Sequence, residues 1–232
     1  MKVEAVFISD VHIGSRGCNA DKLLAVLKKY EPETLFIVGD FIDGWLLKSR
    51  HYWRQEFTNV IKKVLSFSKK GTKVVYITGN HDDFLREYSP INFDENIVIC
   101  DEYVWNNYFL VHGDAYDGVM NLKWLAHLGS FGYEAAIRID RFFKRLGYKK
   151  SISKWLKDNV KEAVKFITIF EEELVSQAVK RGCKGVICGH IHKPDDRFIN
   201  GVHYLNCGDF IENNSYIIYN EGEFKHYYSV QE

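Results

Sequence analysis

The sequence predicts an α/β fold, and three observations predict it. Short apolar runs alternate with helix-spaced segments through the first half of the 232 residues. Runs such as Leu35-Phe-Ile-Val and Val74-Val-Tyr-Ile lack polar alternation, as strands covered on both faces should. Five runs end abruptly in a residue able to bind metal. Residues 3–9 lead into Asp10-Val-His12, 34–38 into Gly39-Asp40, and 74–78 into Gly79-Asn80-His81-Asp82. Residues 109–111 lead into His112-Gly113-Asp114, and 185–188 into Gly189-His190-Ile-His192. In open α/β sheets the carboxyl ends of the strands form the binding edge, so these side chains should meet there.

Each further element has its own signal. After the first strand, Asn19 or Asp21 can cap a helix that buries Leu23, Leu24, Val26 and Leu27. A second helix over 53–67 places Phe57, Ile61, Val64 and Leu65 close to helical spacing, and Gly71 ends it. The short connections among 97–100, 103–105 and 108–111 suggest hairpins. The tail (202–206, 215–219, 223–228) reads as a closing antiparallel meander, with turns at Glu212-Asn-Asn and Asn220-Glu-Gly. Between the fourth and fifth motifs, residues 116–181 carry no strand signal and read as several helices. Apolar residues recur from Leu156 through Val160, Ala163, Ile167, Phe170, Leu174 and Ala178. From 119 to 156, aromatic residues mix with Arg138, Arg141, Lys144, Arg145, Lys149, Lys150 and Lys154. Such an insertion beside a metal centre suits a lid over an anionic, partly apolar substrate; a plain amphipathic cap is the alternative. With three prolines and no low-complexity stretch, no linker is evident, so one domain over 1–232 is expected.

Bulk composition narrows the function classes. Apolar residues make up 46% of the chain, enough for a sizeable core. The 31 basic residues cancel the 31 acidic ones, so net charge gives no reason to expect a nucleic-acid partner. Five scattered cysteines without a CxxC pair suit buried thiols in a reducing compartment. No apolar run approaches the ~18 residues of a membrane span, and no leader precedes the first strand. The expectation is a cytoplasmic protein, with peripheral contact at the membrane face left open.

Two close divalent cations need oxygen and nitrogen donors and one anion between them. Asp10 and His12, alternating along an extended segment, can reach one ion. Asp40, just past a glycine, is the natural bridge. Asn80 offers a neutral oxygen, and His112, His190 and His192 supply imidazoles. Oxygen and nitrogen ligation without thiolate suits Mn²⁺, Fe²⁺ or Zn²⁺ better than Ca²⁺. His81 follows a candidate ligand directly and should face the substrate, either donating a hydrogen bond to the phosphoryl group or protonating the leaving oxygen, with Asp82 orienting its ring. His51, His127, His203 and His226 fit no motif.

In this order, Asp-Val-His, Gly-Asp-Phe-Ile-Asp, Gly-Asn-His-Asp, His-Gly-Asp and Gly-His-Ile-His resemble the calcineurin-like metallophosphoesterase superfamily from Asp10 to about Gly208. The resemblance implies a four-layer α/β/β/α sandwich and two metal ions, with Mn²⁺ first. One ion would take Asp10, His12, Asp40 and His192; the other would take Asp40, Asn80, His112 and His190. A bridging water, deprotonated near neutral pH, would attack phosphorus.

Within the superfamily, Gly-Asp-Phe-Ile-Asp-Gly-Trp45 followed by a helical insertion is similar to the UDP-2,3-diacylglucosamine pyrophosphatases of lipid A biosynthesis. Those enzymes release UMP and 2,3-diacylglucosamine 1-phosphate. The resemblance implies a lipid-linked sugar-nucleotide substrate and peripheral contact with the inner membrane. Trp45 would serve as an apolar wall, Asn80 and His81 would meet the substrate, and Arg16, Lys157 and Lys161 are candidate phosphate contacts. At His81 the chain has the general superfamily residue, where that branch carries Arg. A smaller phosphodiesterase or nucleotide pyrophosphatase would use the same metals. A non-catalytic scaffold is the alternative of a different class, although such scaffolds tend to lose ligand residues and none is missing here.

Overall fold

The computed structural model describes residues 1–49, 52–92, 95–116 and 152–229, with side chains of 152–163 left out. It divides into two compact units, Met1–Asp114 with Leu174–Glu232, and Ala115–Glu173.

The first unit is built on two sheets. The seven-stranded sheet has the order β12-β11-β1-β2-β3-β5-β4. Its centre is parallel: β1 (Lys2–Ile8), β2 (Glu31–Val38), β3 (Lys73–Ile77) and β5 (Ile97–Cys100). The short β4 (Ile91–Asn92) and the hairpin of β11 (Ser215–Asn220) and β12 (Glu223–Tyr228) are antiparallel additions. The five-stranded sheet runs β6 (Glu102–Trp105), β7 (Tyr108–Val111), β8 (Gly185–Cys188), β10 (Val202–Asn206) and β9 (Asp195–Ile199), with β7, β8 and β10 parallel.

Burial explains why the runs lack alternation. Along β2 and β3, Leu35, Ile37, Val74 and Tyr76 join a core with the helices α1 (Ala20–Lys29) and α3 (Gln55–Lys69). Their neighbours Phe36, Val38, Val75 and Ile77 face Tyr108, Leu110, Ile187 and Leu205 of the second sheet. Both faces are therefore apolar, so a polar residue on either would be buried without a partner. On the far side of the second sheet, Phe109, Val186 and Tyr204 are fully buried, and the Arg181 guanidinium stacks 4.2 Å from the Phe109 ring centroid. Arg181 directly follows the long helix α4 (Ile152–Lys180). Within the first unit, helix, sheet, sheet and the end of α4 from Leu174 are thus the layers of this α/β sandwich.

The predicted helices occur with small shifts. Asn19 stands at the N-cap of α1 but does not cap it with its side chain, which donates to the Ile211 carbonyl at 2.8 Å. Leu65 of α3 is 48% exposed, and Val60 and Phe67 take the buried stripe beside Phe57 and Val64. A short helix α2 (Gly44–Ser49) was not anticipated. On α4, Phe170, Leu174 and Ala178 are buried as the spacing predicts.

Two expectations about strands are corrected. The tail is not one meander: β10 pairs in parallel with β8 in the second sheet, and only β11 and β12 close the first. β5 forms no hairpin with β6, because it pairs with β3 while β6 pairs with β7. Period-two patterning specifies a strand without specifying its sheet. Of the expected lid at 119–156, within the insertion at 116–181, residues 119–151 lie outside the described residues. Among those described, no helix is long and apolar enough to cross a membrane.

Candidate metal centre

The predicted ligands stand on loops at the carboxyl ends of β1, β2, β3, β7 and β8. There the chain turns back sharply, and five of the residues do so in left-handed conformations: Asp10 (φ 50°), His12 (51°), Asp40 (50°), His190 (69°) and His192 (53°). Such backbone costs a non-glycine residue about 1–3 kcal/mol and clusters at functional sites. The loops are laced together. The amides of Val11 and His12 both donate to the Asp40 carbonyl, at 3.0 and 2.9 Å, and Asp10 N–H donates to Gly39 at 3.1 Å.

Each carboxylate is divided between two tasks. Asp10 Oδ2 accepts from the His190 amide at 2.9 Å and from the Ser9 hydroxyl at 2.5 Å. Its Oδ1 faces His192 Nε2 at 3.1 Å and His12 Nε2 at 3.8 Å. Asp40 Oδ1 accepts from the His81 amide at 2.8 Å. Asp40 Oδ2 faces His112 Nε2 at 3.3 Å and His12 Nε2 at 3.8 Å. One oxygen of each is anchored to the protein, and the other looks into the cluster. His112 Nδ1 lies 2.9 Å from the Val38 carbonyl, a contact that fixes Nδ1 as the donor and leaves Nε2 for the centre.

The fit to a cation rests on buried polar atoms left without hydrogen-bond partners: Asp10 Oδ1, His12 Nε2, Asn80 Oδ1 and His112 Nε2. Orphaned buried groups are costly, and four at one place, all able to donate a lone pair, fit divalent metal. Two ligand groups converge geometrically, Asp10 with His12 and His192, and Asp10 with Asp40 and His112. His190 falls in neither group; its ring stands 5.1 Å from that of His112. Small residues make room. A Cβ on Gly79 would lie 2.6 Å from the Asp40 amide nitrogen and 2.8 Å from His112 Cδ2, so only glycine fits.

A third group, His12 with Asp43 and His81, was missed in the sequence. Asp43 is buried, its Oδ2 3.5 Å from His12 Nδ1 and its Oδ1 3.2 Å from His81 Nδ1. The available signal was the second aspartate of Gly-Asp-Phe-Ile-Asp. Asp43, not Asp82, therefore orients the His81 ring. Asp82 accepts from the amides of Phe41 and Gly79 and from the Tyr76 hydroxyl, tying the Asp40 and Asn80 loops together. The Trp45 ring lies 4.2 Å from the His81 ring, inclined at 33°. Arg16 is exposed and stacks over Tyr52 at 5.4 Å. The side chains of Lys157 and Lys161 lie outside the described residues. Asn206 and Asn213 were also missed: their amides donate to the carbonyls of Gly189 and His192, each at 2.8 Å, and so hold the last ligand loop.

Residues 4–194 match the model of the calcineurin-like phosphoesterase family. The chain belongs to that family. Calcineurin-like phosphoesterases are metal-dependent hydrolases of phosphoric esters, and the convergent aspartates and histidines above are the groups such chemistry needs. A UDP-2,3-diacylglucosamine hydrolase of Porphyromonas gingivalis is 32% identical over 96 residues. That match covers 38% of this chain and 36% of the relative's length. Among solved structures, an archaeal phosphodiesterase is similar at 15% identity and TM-score 0.45, covering 97% of this chain and 98% of its own. A Vps29 double mutant from Entamoeba histolytica has 14% identity and TM-score 0.46, covering 96% of both chains.

The electrostatics of the cluster predict how chelation should act. Burial pulls the His12 pKa down, but Asp10, Asp43 and Asp40 outweigh it and raise it to about 10. His112 and His192 are raised in the same way against burial. Burial pushes the Asp40 carboxyl up, and the facing His112 overrides this to hold it near about 2. Without ions, protonated imidazoles neutralise the carboxylates. A folded-state pKa above the ordinary 6.5 gives stability that is fully present below pH 6.5 and lost as pH rises through about 10. In EDTA, thermal melts should therefore fall steadily across that window. With Mn²⁺ they should fall much less, because ions take the protons' place. Parallel melting curves in the two conditions would contradict this reading.

Proposed function

We propose that the chain is a dinuclear phosphoesterase that cleaves the pyrophosphate of UDP-2,3-diacylglucosamine, or of a closely similar lipid-linked sugar nucleotide, to UMP and the acylated sugar 1-phosphate. The convergence of four orphaned donor atoms on Asp10, His12, Asn80 and His112 supports the metal-dependent half. The partial match to the Porphyromonas gingivalis hydrolase supports the substrate half.

In this reading Asp10, His12, Asp40 and His192 hold one ion, and Asp40, Asn80, His112 and His190 hold the other. Mn²⁺ is first by the family resemblance, and Fe²⁺ and Zn²⁺ are alternatives that the same oxygen and nitrogen donors suit. When bound, such ions acidify water toward neutral pH and neutralise charge on the phosphoryl oxygens. The protein's own residues do the rest. Asp43 Oδ1 faces His81 Nδ1 at 3.2 Å, which leaves Nε2 as the nitrogen to present to the leaving oxygen. Trp45 backs the His81 ring and walls the substrate side. Arg16, Lys157 and Lys161 are assigned to phosphate contacts on the sequence alone, and membrane contact would follow from the acyl chains.

A second reading is favoured by the His81–Asp43 pair, which suits an ordinary phosphodiester whose leaving group needs a proton. One assay separates the two. Purified protein with Mn²⁺ is offered UDP-2,3-diacylglucosamine, UDP-N-acetylglucosamine and bis-p-nitrophenyl phosphate, and products are read by mass spectrometry. UMP from the acylated substrate should form at least about tenfold faster, by kcat/KM, than from the unacylated one, since acyl burial contributes to transition-state binding. Equal rates, or turnover of the diester alone, would move the assignment to a small-molecule phosphodiesterase. Metal-loaded protein inert to all three would point to a scaffold.

A further inference from the structure

Beyond the ligands, one arginine joins the roots of two ligand loops. Arg86 lies on the 3-10 turn Asp83–Tyr88, just after Gly79-Asn80-His81-Asp82. Its side chain turns back to the start of that same loop, where Nε donates to Thr78 Oγ1 at 3.1 Å and Nη2 to the Thr78 carbonyl at 3.2 Å. The other edge of the guanidinium grips Asp114 with two bonds of 2.9 Å, Nη1 to Oδ2 and Nη2 to Oδ1. Asp114 stands two residues past His112, across Gly113 (φ 120°). Thr78 is fixed further by its hydroxyl, which donates to Asp101 at 2.7 Å.

The placement is specific. Thr78 follows β3 of the seven-stranded sheet, and Asp114 follows β7 of the five-stranded sheet. Arg86 thus pins the Asn80–His81 loop at its base and ties it to the His112 loop across the sandwich. These loops carry the Asn80 Oδ1 and His112 Nε2 atoms that lack hydrogen-bond partners. A planar fork holding a carboxylate bidentately fixes orientation as well as distance, which an ammonium cannot do. The Arg86 side chain is 33% exposed and that of Asp114 is 12% exposed, so the pair is partly shielded from solvent.

We propose that Arg86 is a positioning residue: through Asp114 and Thr78 it sets the Asn80–His81 loop against His112 and so tunes the second metal site and turnover. The inference rests on the reading that Asn80 and His112 hold an ion.

The test uses the full chain carrying Arg86→Gln, Arg86→Lys, Asp114→Asn and the Arg86→Gln/Asp114→Asn double change, with Asn80→Ala as control. Mn²⁺ binding is followed by calorimetry, and hydrolysis of bis-p-nitrophenyl phosphate gives kcat and KM. Loss of an outer partner of metal ligands typically costs about 10–100-fold in affinity or activity. Arg86→Gln should weaken the second Mn²⁺ by about tenfold and lower kcat similarly, with KM unchanged. Arg86→Lys should recover only part. The double variant should lose no more than the worse single one, because the two residues act through one contact. Melting temperatures in EDTA separate folding losses from these effects. Folded variants with wild-type Mn²⁺ binding and kcat would overturn the proposal, as would a change confined to KM, which marks a substrate contact. If Asn80→Ala itself leaves Mn²⁺ binding intact, the ligand reading fails instead.

Discussion

Asp40→Asn should abolish turnover, lowering kcat by at least about 10³-fold, or roughly 4 kcal/mol of barrier, and metal analysis should find no more than one Mn²⁺ per chain. The substitution is nearly isosteric, so the oxygen that accepts the His81 amide at 2.8 Å can be kept. What disappears is the anionic Oδ2, which reaches His12 Nε2 and His112 Nε2 and therefore touches both proposed ligand sets. Two dications about 4 Å apart repel by on the order of 16 kcal/mol at an effective dielectric of 20, and only an anion between them offsets this. Raising Mn²⁺ should not rescue the variant, because the defect is repulsion between ions and not weak affinity at one of them. Asp10→Asn provides a comparison: its Oδ1 faces His192 at 3.1 Å and His12 at 3.8 Å, so loss should be largest at the first ion, with a smaller effect at the second because Asp10 also converges with Asp40 and His112. An Asp40→Asn protein holding two ions with near wild-type kcat would remove Asp40 from its bridging role.

The candidate site was legible because its logic is local to each strand end. An apolar run buried on both faces must stop where the sheet stops, and a polar residue just beyond it stands at the binding edge. Asp10, Asp40, Asn80, His112, His190 and His192 could each be found this way without knowledge of strand order. Where the sequence reading failed, the deciding contact was between distant segments. Val202–Asn206 has an ordinary strand pattern, but its place beside β8 depends on a connection through Asp195–Ile199 that carries no strong signal. Asp82 was assigned to the ring of its neighbour His81, yet adjacency in sequence turned its carboxylate away, toward Phe41 and Gly79. Asp43 carries no signal of its own beyond its place three residues after Asp40, and the reversal at Asp40 (φ 50°) brings it between His12 and His81. The left-handed backbone at five ligands is only weakly marked by residue type: aspartate and histidine enter it more readily than most residues, but tertiary constraint decides where. Leu65 shows the same limit on a helix: spacing proposed it for the core, and the face chosen by Phe57, Val60 and Val64 left it in solvent.

His81→Ala separates chemistry from metal binding. His81 Nδ1 faces Asp43 Oδ1 at 3.2 Å, the ring rests on Trp45, and Nε2 stands 4.0 Å from Asp40 Oδ2 at the rim of the cluster. A quarter of the side chain is exposed, unlike the fully buried ring of His112. The ring is therefore braced from behind and open in front, which suits a group that meets substrate. General acid catalysis contributes about 10²–10⁴-fold, and its share grows as the leaving group becomes more basic. The variant should keep both Mn²⁺ ions and lose about 10²-fold or more in kcat on substrates with sugar-phosphate or alkyl leaving groups. On bis-p-nitrophenyl phosphate, whose leaving group departs without a proton, the loss should be several-fold smaller. Asp43→Asn should follow in the same direction with a smaller loss, because its amide would present a donor to Nδ1 and favour the wrong tautomer. Rates measured on the two substrate types, with metal content determined on the same samples, decide the matter. An equal loss on both would make His81 a binder of phosphoryl charge, and a loss of metal would make it a structural support for His12.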